Sequence, residues 1–97
     1  MSEIVLQFKK DETRLAGFLF GKETYSKQVK EIIYKDGKLD EHIVIVFPEQ
    51  IERVASSFIQ GFFVEMINTI GYDEIFHRFE IKAASDKLQK SILENIY

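Results

Sequence analysis

The chain of 97 residues contains no cysteine and only one proline, Pro48. The absence of cysteine excludes disulfide bonds, thiol catalysis and cysteine metal ligands, and it is typical of cytoplasmic proteins. No apolar run approaches the roughly 20 residues that a membrane-spanning helix needs. The first residues also lack the basic and apolar parts of a signal peptide. We therefore expect a cytoplasmic protein without a membrane segment.

A large excess of charge of one sign is missing as well. The 13 Lys and Arg residues against 16 Asp and Glu residues give a net charge of −3. Nucleic-acid-binding domains usually present a basic face, whereas basic and acidic residues are interspersed here, so no nucleic-acid partner is expected. No histidine–carboxylate spacing is typical of a metal site, and no glycine-rich phosphate loop follows a strand. The sequence predicts neither a metal nor a cofactor.

The overall composition is typical of one globular domain. Hydrophobic residues make up 45% and charged residues 30% of the chain, which is ordinary for a globular protein. Nine Phe and four Tyr residues supply large side chains for a small core. Residues 1–97 are therefore expected to form a single domain.

Three segments have the pattern of strands. Residues 3–9 and residues 79–83 alternate apolar and polar side chains, as half-buried strands do. Residues 43–47 are apolar at every position and mostly β-branched, which predicts a central strand covered on both faces. Residues 10–21 remain open between a second short strand paired with the first and a loop.

Three segments have the pattern of helices. Apolar residues recur at three- and four-residue spacing over about residues 22–35 and 58–70. Asp36 and Gly37 are expected to stop the first of these helices. Gly71 is expected to close the second, with a further helical turn after it. A last helix is predicted to begin near Ser85.

This order predicts an α/β fold, with a small mixed, mainly parallel sheet of about four strands and three main helices packed against it. Two strand–helix–strand units imply parallel neighbouring strands. The first strand can join antiparallel at an edge. Because the central strand is apolar on both faces, the helices are expected to divide between the two faces of the sheet.

Ser56 and Ser57 follow the central strand after a short polar connection and open the second helix. Ser57 with Gln60 three residues later fits a capping box, which contributes on the order of 1 kcal/mol. A helix N-terminus also carries free N–H groups and partial positive charge, which favour a phosphoryl group. The spacing favours the cap, and a signalling serine is the alternative.

A catalytic serine would need a base within hydrogen-bond reach. His42 precedes the central strand and is expected at the opposite end from Ser57, and His77 lies in a charged turn. No catalytic set is predicted, so the protein is not expected to be an enzyme. An enzyme built on Ser57 would have to draw on one of three other groups: Glu49, Arg53 or Lys82.

The segment Val54-Ala55-Ser56-Ser57-Phe58, with the strand before it and the helix after it, resembles the bacterial STAS-like family of unknown function. The resemblance continues to the last helix and covers most of the chain from about residue 20. The family is similar to STAS domains, whose best-known members are anti-sigma factor antagonists. Those proteins bind a GHKL-type ATPase kinase, which phosphorylates a serine at the start of the helix after a central strand.

The STAS motif at this helix start is Asp-Ser-Ser-Gly, and its second serine is phosphorylated. Ala55 stands where STAS domains have Asp, Ser56 and Ser57 match the serines, and Phe58 stands where they have Gly. The resemblance implies a non-enzymatic interaction or regulatory module, a GHKL-type ATPase as partner, and Ser57 before Ser56 as phospho-acceptor. The predicted partner-binding surface is the helix start with its preceding loop: Pro48, Glu49, Arg53, Ala55, Ser56, Ser57 and Phe58.

A homo-oligomeric or small-ligand-binding scaffold is the alternative function. It depends on four aromatic residues that together exceed what one small core is expected to bury: Phe18, Phe20, Phe62 and Phe63. A contiguous exposed apolar patch of several hundred Å² would favour it. The sequence does not determine the oligomeric state.

Overall fold

The computed structural model describes residues 2–96, which form seven short strands and four helices. In chain order these elements are β1 (Ser2–Val5), β2 (Arg14–Leu15), α1 (Phe18–Gln28), α2 (Lys30–Ile33), β3 (Tyr34–Lys35), β4 (Lys38–Leu39), β5 (Ile43–Val46), β6 (Arg53–Val54), α3 (Ser56–Arg78), β7 (Phe79–Lys82) and α4 (Asp86–Glu94). No helix of this part of the chain is both long enough and apolar enough to cross a membrane.

The main sheet has three parallel strands in the order β1, β5, β7. This confirms the α/β class and the central position of the predicted strand at residues 43–47. The antiparallel option for the first strand is wrong, because the chain returns through α1 before it enters β5 and both strands then run in the same direction. Two further pairs of two-residue strands lie outside this sheet: β2 with β6 in parallel, and β3 with β4 antiparallel.

The two faces of the sheet differ. Ile4, Ile45 and Ile81 are register partners, and all three belong to the hydrophobic core. On the other face, four positions of the edge strands are exposed: Glu3, Val5, Glu80 and Lys82. The prediction of a central strand with helices on both faces is therefore corrected. Val44 on this second face is only 3% exposed, but it lies outside the core cluster, and its register partners Glu3 and Glu80 flank it.

The predicted helix at residues 22–35 begins earlier and is divided. It starts at Phe18, ends at Gln28 and is followed by the short helix α2. Residues 14–15 supply the short strand that the sequence left open, paired with β6 instead of β1. Asp36 and Gly37 form the turn between β3 and β4, with φ of 53° and 77°, as two-residue hairpin turns require.

The second predicted helix is confirmed as the first part of α3. Gly71 interrupts α3 with φ of 83° and ψ of 166°, and helical structure resumes after it as far as Arg78. The apolar stripe of the first part is buried in the core, including Phe62, Phe63 and Met66. The last helix also begins where predicted, with Ser85 at its N-cap.

Glycines allow α1 and α3 to pack backbone against backbone. A Cβ atom added to Gly21 would lie 2.0 Å from the Phe58 carbonyl oxygen, and one added to Gly61 would lie 1.9 Å from the Phe18 carbonyl oxygen. Real Cβ atoms do not approach so closely, so both positions require a residue without a side chain. The contact places the N-terminal ends of the two helices side by side.

Aromatic side chains fill the space around this contact. The Phe20 ring lies 5.3 Å from Phe58 and the Phe62 ring 4.9 Å from Phe63, both edge to face. Phe62 and Phe63 are buried and Phe20 packs against the core. Of the four phenylalanines predicted to exceed the core, only Phe18 is exposed, because Phe20 packs against the rings of Phe8 and Phe58 and the other two lie within the core.

Candidate functional site

The connections that follow β1 and β5 run together at the carboxyl end of the sheet. The Gln50 side-chain amide donates hydrogen bonds to the carbonyl oxygens of Lys9 at 2.6 Å and Glu12 at 2.9 Å. The Glu52 backbone N–H donates to the Thr13 carbonyl oxygen at 2.7 Å. These bonds align the two connections and lead directly into the pairing of β2 with β6.

The β2–β6 pair determines where α3 begins. Arg14 is opposite Arg53 and Leu15 opposite Val54 in the parallel register. The ladder extends one residue further, because the Ala55 N–H donates to the Leu15 carbonyl oxygen at 2.8 Å. Ala55 therefore has extended backbone angles and becomes the N-cap residue, so the helix begins at Ser56.

Ser57 does not cap its own helix. Its hydroxyl oxygen accepts a hydrogen bond from the Gly17 N–H at 3.0 Å, and the N-cap residue of α3, Ala55, makes no side-chain capping hydrogen bond. The predicted capping box of Ser57 with Gln60 is therefore wrong. The pairing up to Ala55 places Ser57 in the second helical position, from which its hydroxyl reaches the end of the neighbouring connection.

The paired helix starts, which we define as Phe18, Leu19, Ser56 and Ser57, combine apolar side chains on α1 with hydroxyls on α3. Ser56 is exposed and Ser57 half-buried, whereas Phe18 is 42% and Leu19 72% exposed. The Ser57–Gly17 hydrogen bond and the backbone contact at Gly61 hold the two starts together. Leu19 was not among the predicted site residues. The sequence feature that could have indicated it is the pair Gly17 and Gly21, which flanks three consecutive apolar residues.

The other predicted contact residues are distributed around the same end of the sheet. Glu49 and Arg53 are exposed, while Pro48 and Ala55 are half-buried. Phe58 is 0% exposed, and its ring packs against other aromatic rings. The prediction of Phe58 as a contact residue is corrected accordingly: its side chain supports the helix start from beneath, because the first turn of α3 directs it into the core.

The two histidines lie away from this end of the sheet. His42 precedes β5, and its Nε2 atom lies 3.4 Å from Glu80 Oε2, with both side chains about half exposed. Ser57 lies beyond the opposite end of that strand. His77 is exposed near the end of α3. Within residues 2–96, no group of three His, Asp or Glu side chains is close enough to hold a metal ion.

Tyr25 carries a buried hydroxyl beneath α1. Its ring packs edge to face on Phe62 at 5.8 Å, and its oxygen has no hydrogen-bond partner among the described residues. Burial, with a smaller contribution from the Glu65 carboxylate, raises the pKa of the Tyr25 hydroxyl well above its ordinary value. The hydroxyl therefore stays neutral at physiological pH and is not an available base.

Comparison with known proteins finds no relative of this chain. The sequence matches no family model, and neither a curated protein nor a solved structure is significantly similar to it.

Proposed function

We propose that the protein is a non-enzymatic, STAS-like interaction module that binds a protein partner through the paired helix starts. The observation that carries the proposal is the exposed pair Phe18 and Leu19 beside the serine-bearing start of α3. Exposed apolar residues are normal when scattered singly. Here two consecutive ones occupy a position that the helix contact at Gly21 and Gly61 keeps rigid.

The chemistry of this surface suits a protein partner. Protein interfaces combine an apolar centre with a polar rim, and Phe18 and Leu19 supply the first while Ser56 and Ser57 supply the second. Because backbone contacts hold the two helix starts, little backbone conformational entropy is lost when a partner binds. The STAS resemblance favours a GHKL-type ATPase as that partner.

The resemblance also favours phosphorylation of the serine pair, with Ser57 first and Ser56 second. A phosphate adds nearly two negative charges, and the start of α3 favours negative charge. On Ser57 it would additionally crowd the hydrogen bond from Gly17 and so separate the helix starts. On Ser56, which is exposed, it would change the charge of the surface without disturbing that contact.

Capture from an extract of the source organism tests the proposed interface. We expect wild-type protein to retain a specific partner, identified by mass spectrometry, and Leu19→Ser to weaken its binding at least about tenfold, as loss of a central apolar contact does. Ile32→Ser is the matched control, because Ile32 is 50% exposed on α2. Equal retention by wild type and Leu19→Ser would contradict the proposal.

A second copy of the chain is the competing occupant, and sedimentation velocity distinguishes it. A dimer abolished by Leu19→Ser would assign this surface to self-association and contradict a heterologous partner. The phosphorylation part is tested by incubating the captured partner with wild type, Ser56→Ala and Ser57→Ala in the presence of Mg-ATP. A Ser57→Asp variant that bound the partner like wild type would contradict a switch at Ser57.

A further inference from the structure

A cavity of about 620 Å³ lies between the β2–β6 pair and α4. Part of its lining is apolar and buried: Leu15, Val54 and Leu88. Another part is cationic and exposed: Arg14, Arg53 and Lys87. The cavity is distinct from the paired helix starts and shares none of their residues.

The two arginines are opposed across the ladder. Arg14 and Arg53 are register partners, and paired strands lie roughly 4.8 Å apart. Like charges in directly opposite positions destabilise a strand pair. Among residues 2–96, neither guanidinium has a hydrogen bond or an ion pair that would offset this repulsion. An anion bound between the two guanidinium groups would offset their repulsion.

We propose that this cavity binds a small organic phosphate ester. Planar guanidinium groups recognise phosphate with pairs of parallel hydrogen bonds, and Arg14 and Arg53 stand side by side at the cavity. Among residues 2–96, the lining has three cations and one carboxylate, Glu52, which leaves two net positive charges and matches a phosphomonoester dianion. The apolar lining accommodates the organic body of the ester.

Phenyl phosphate is a suitable probe, because it joins a dianionic head to a small apolar ring. We expect saturable amide shifts in a ¹H–¹⁵N titration at three places around the cavity: residues 14–16, 53–55 and 87–88. Inorganic phosphate should bind about tenfold more weakly, since it lacks the apolar body. Shifts that stay linear with concentration, or equal affinities for the two anions, would overturn the proposal.

Matched variants separate a built site from general attraction of anions. Arg14→Gln and Arg53→Gln should each weaken phenyl phosphate binding about tenfold, as loss of a charge-assisted hydrogen bond does. Lys87→Gln should weaken it less, and Lys90→Gln, on the same helix but outside the lining, should change it less than twofold. Equal losses in Lys87→Gln and Lys90→Gln, or unchanged binding in both arginine variants, would contradict the site.

Two further measurements test the shape of the cationic group and the size of the ligand. Arg53→Lys keeps the positive charge but loses the planar guanidinium, so it should bind phenyl phosphate more weakly than wild type while its urea unfolding is unchanged. An Arg53→Lys variant that bound phenyl phosphate as tightly as wild type would contradict recognition by the guanidinium. A short phosphoserine peptide that bound more tightly than phenyl phosphate would overturn the small-molecule assignment in favour of a phosphorylated protein. Neither result depends on the partner proposed for the helix starts.

Discussion

Ser57 in the first turn of α3 and Ser85 just before α4 make different kinds of hydrogen bond. At α4, Ser85 has extended backbone angles, and its oxygen accepts the hydrogen bond of the Leu88 N–H at 3.1 Å, so the cap is local. At α3, Ser57 accepts from Gly17, 40 residues away in sequence. The start of α4 is thus stabilised by its own residues, whereas the start of α3 is coupled to α1.

The difference shows that a serine caps a helix only when the preceding chain leaves it at the N-cap position. Ser85 follows directly after residues outside any ladder, whereas β6 and its extension to Ala55 fix the start of α3 upstream of Ser57. A change at the start of α3 is therefore transmitted to Gly17 and α1. A change at the start of α4 should remain within that helix.

The largest expected effect comes from breaking the contact that brings α1 and α3 together. Gly61→Ala should lower the free energy of unfolding by about 3 kcal/mol or more, because the new methyl group would lie 1.9 Å from a backbone oxygen. Gly21→Ala should act similarly. Urea unfolding measures both.

Gln60→Ala is the matched control for Gly61→Ala, because Gln60 is the adjacent, exposed residue of the same helix. It should change the stability by less than about 0.5 kcal/mol. A Gly61→Ala variant as stable as wild type would contradict the backbone contact. A loss of about 1 kcal/mol in Gln60→Ala would instead support the predicted capping box of Ser57 with Gln60.

A smaller effect distinguishes the two serines directly. Ser57→Ala and Ser85→Ala should each cost about 1 kcal/mol, the first by leaving the Gly17 N–H unpaired and the second by removing a cap. Amide hydrogen exchange separates them: Ser57→Ala should expose the Gly17 amide, and Ser85→Ala the Leu88 amide. Ser56→Ala is the control and should leave both unchanged. Faster exchange confined to the first turn of α3 in Ser57→Ala would contradict the coupling.

The smallest effect concerns a third serine, which donates its hydrogen bond. The Ser2 hydroxyl donates to the Asp40 carboxylate; this bond, more than the weaker one from the His42 N–H, lowers the pKa of Asp40 to about 2. The contribution of Asp40 to stability should therefore be present above about pH 4 and lost as the pH falls through about 2. An NMR titration of the Asp40 carboxyl carbon measures its pKa.

Ser2→Ala should raise the pKa of Asp40 toward the ordinary value of about 3.9, and Asp40→Asn should remove its contribution to acid unfolding. Ser26→Ala, at an exposed position of α1, is a control that should leave the pKa unchanged. An Asp40 pKa that is the same in Ser2→Ala and wild type would contradict the role of this hydrogen bond.

Local patterns in the sequence predicted the elements whose causes are local. The β-branched run of β5, the apolar stripe of α3 and the start of α4 near Ser85 each depend on neighbouring residues, and each is predicted correctly. The direction of β1 and the open face of the sheet depend on how distant segments pair, which no short pattern encodes. The start of α1 was missed because Phe18 and Phe20 suit a strand as well as a helix.

The candidate site was predictable in position but not in its contacts. The serine pair at the start of α3 was found because it follows an unmistakable strand. The partner of Ser57 was not, because the β2–β6 pair joins residues 39 apart in sequence through only two residues of each strand. The same register brings Arg14 next to Arg53, so the proposed phosphate site is also invisible to any local pattern.

The contact between Gly21 and Gly61 restricts how this protein can evolve. At each position the obstacle is the carbonyl oxygen of the opposite backbone, so shortening a neighbouring side chain makes no room. A selection for second-site suppressors of Gly61→Ala should therefore yield insertions or deletions in the connection before α1, which displace a whole segment, rather than point substitutions in the core. The two glycines are expected to persist in descendants of this sequence long after the surface around them has diverged.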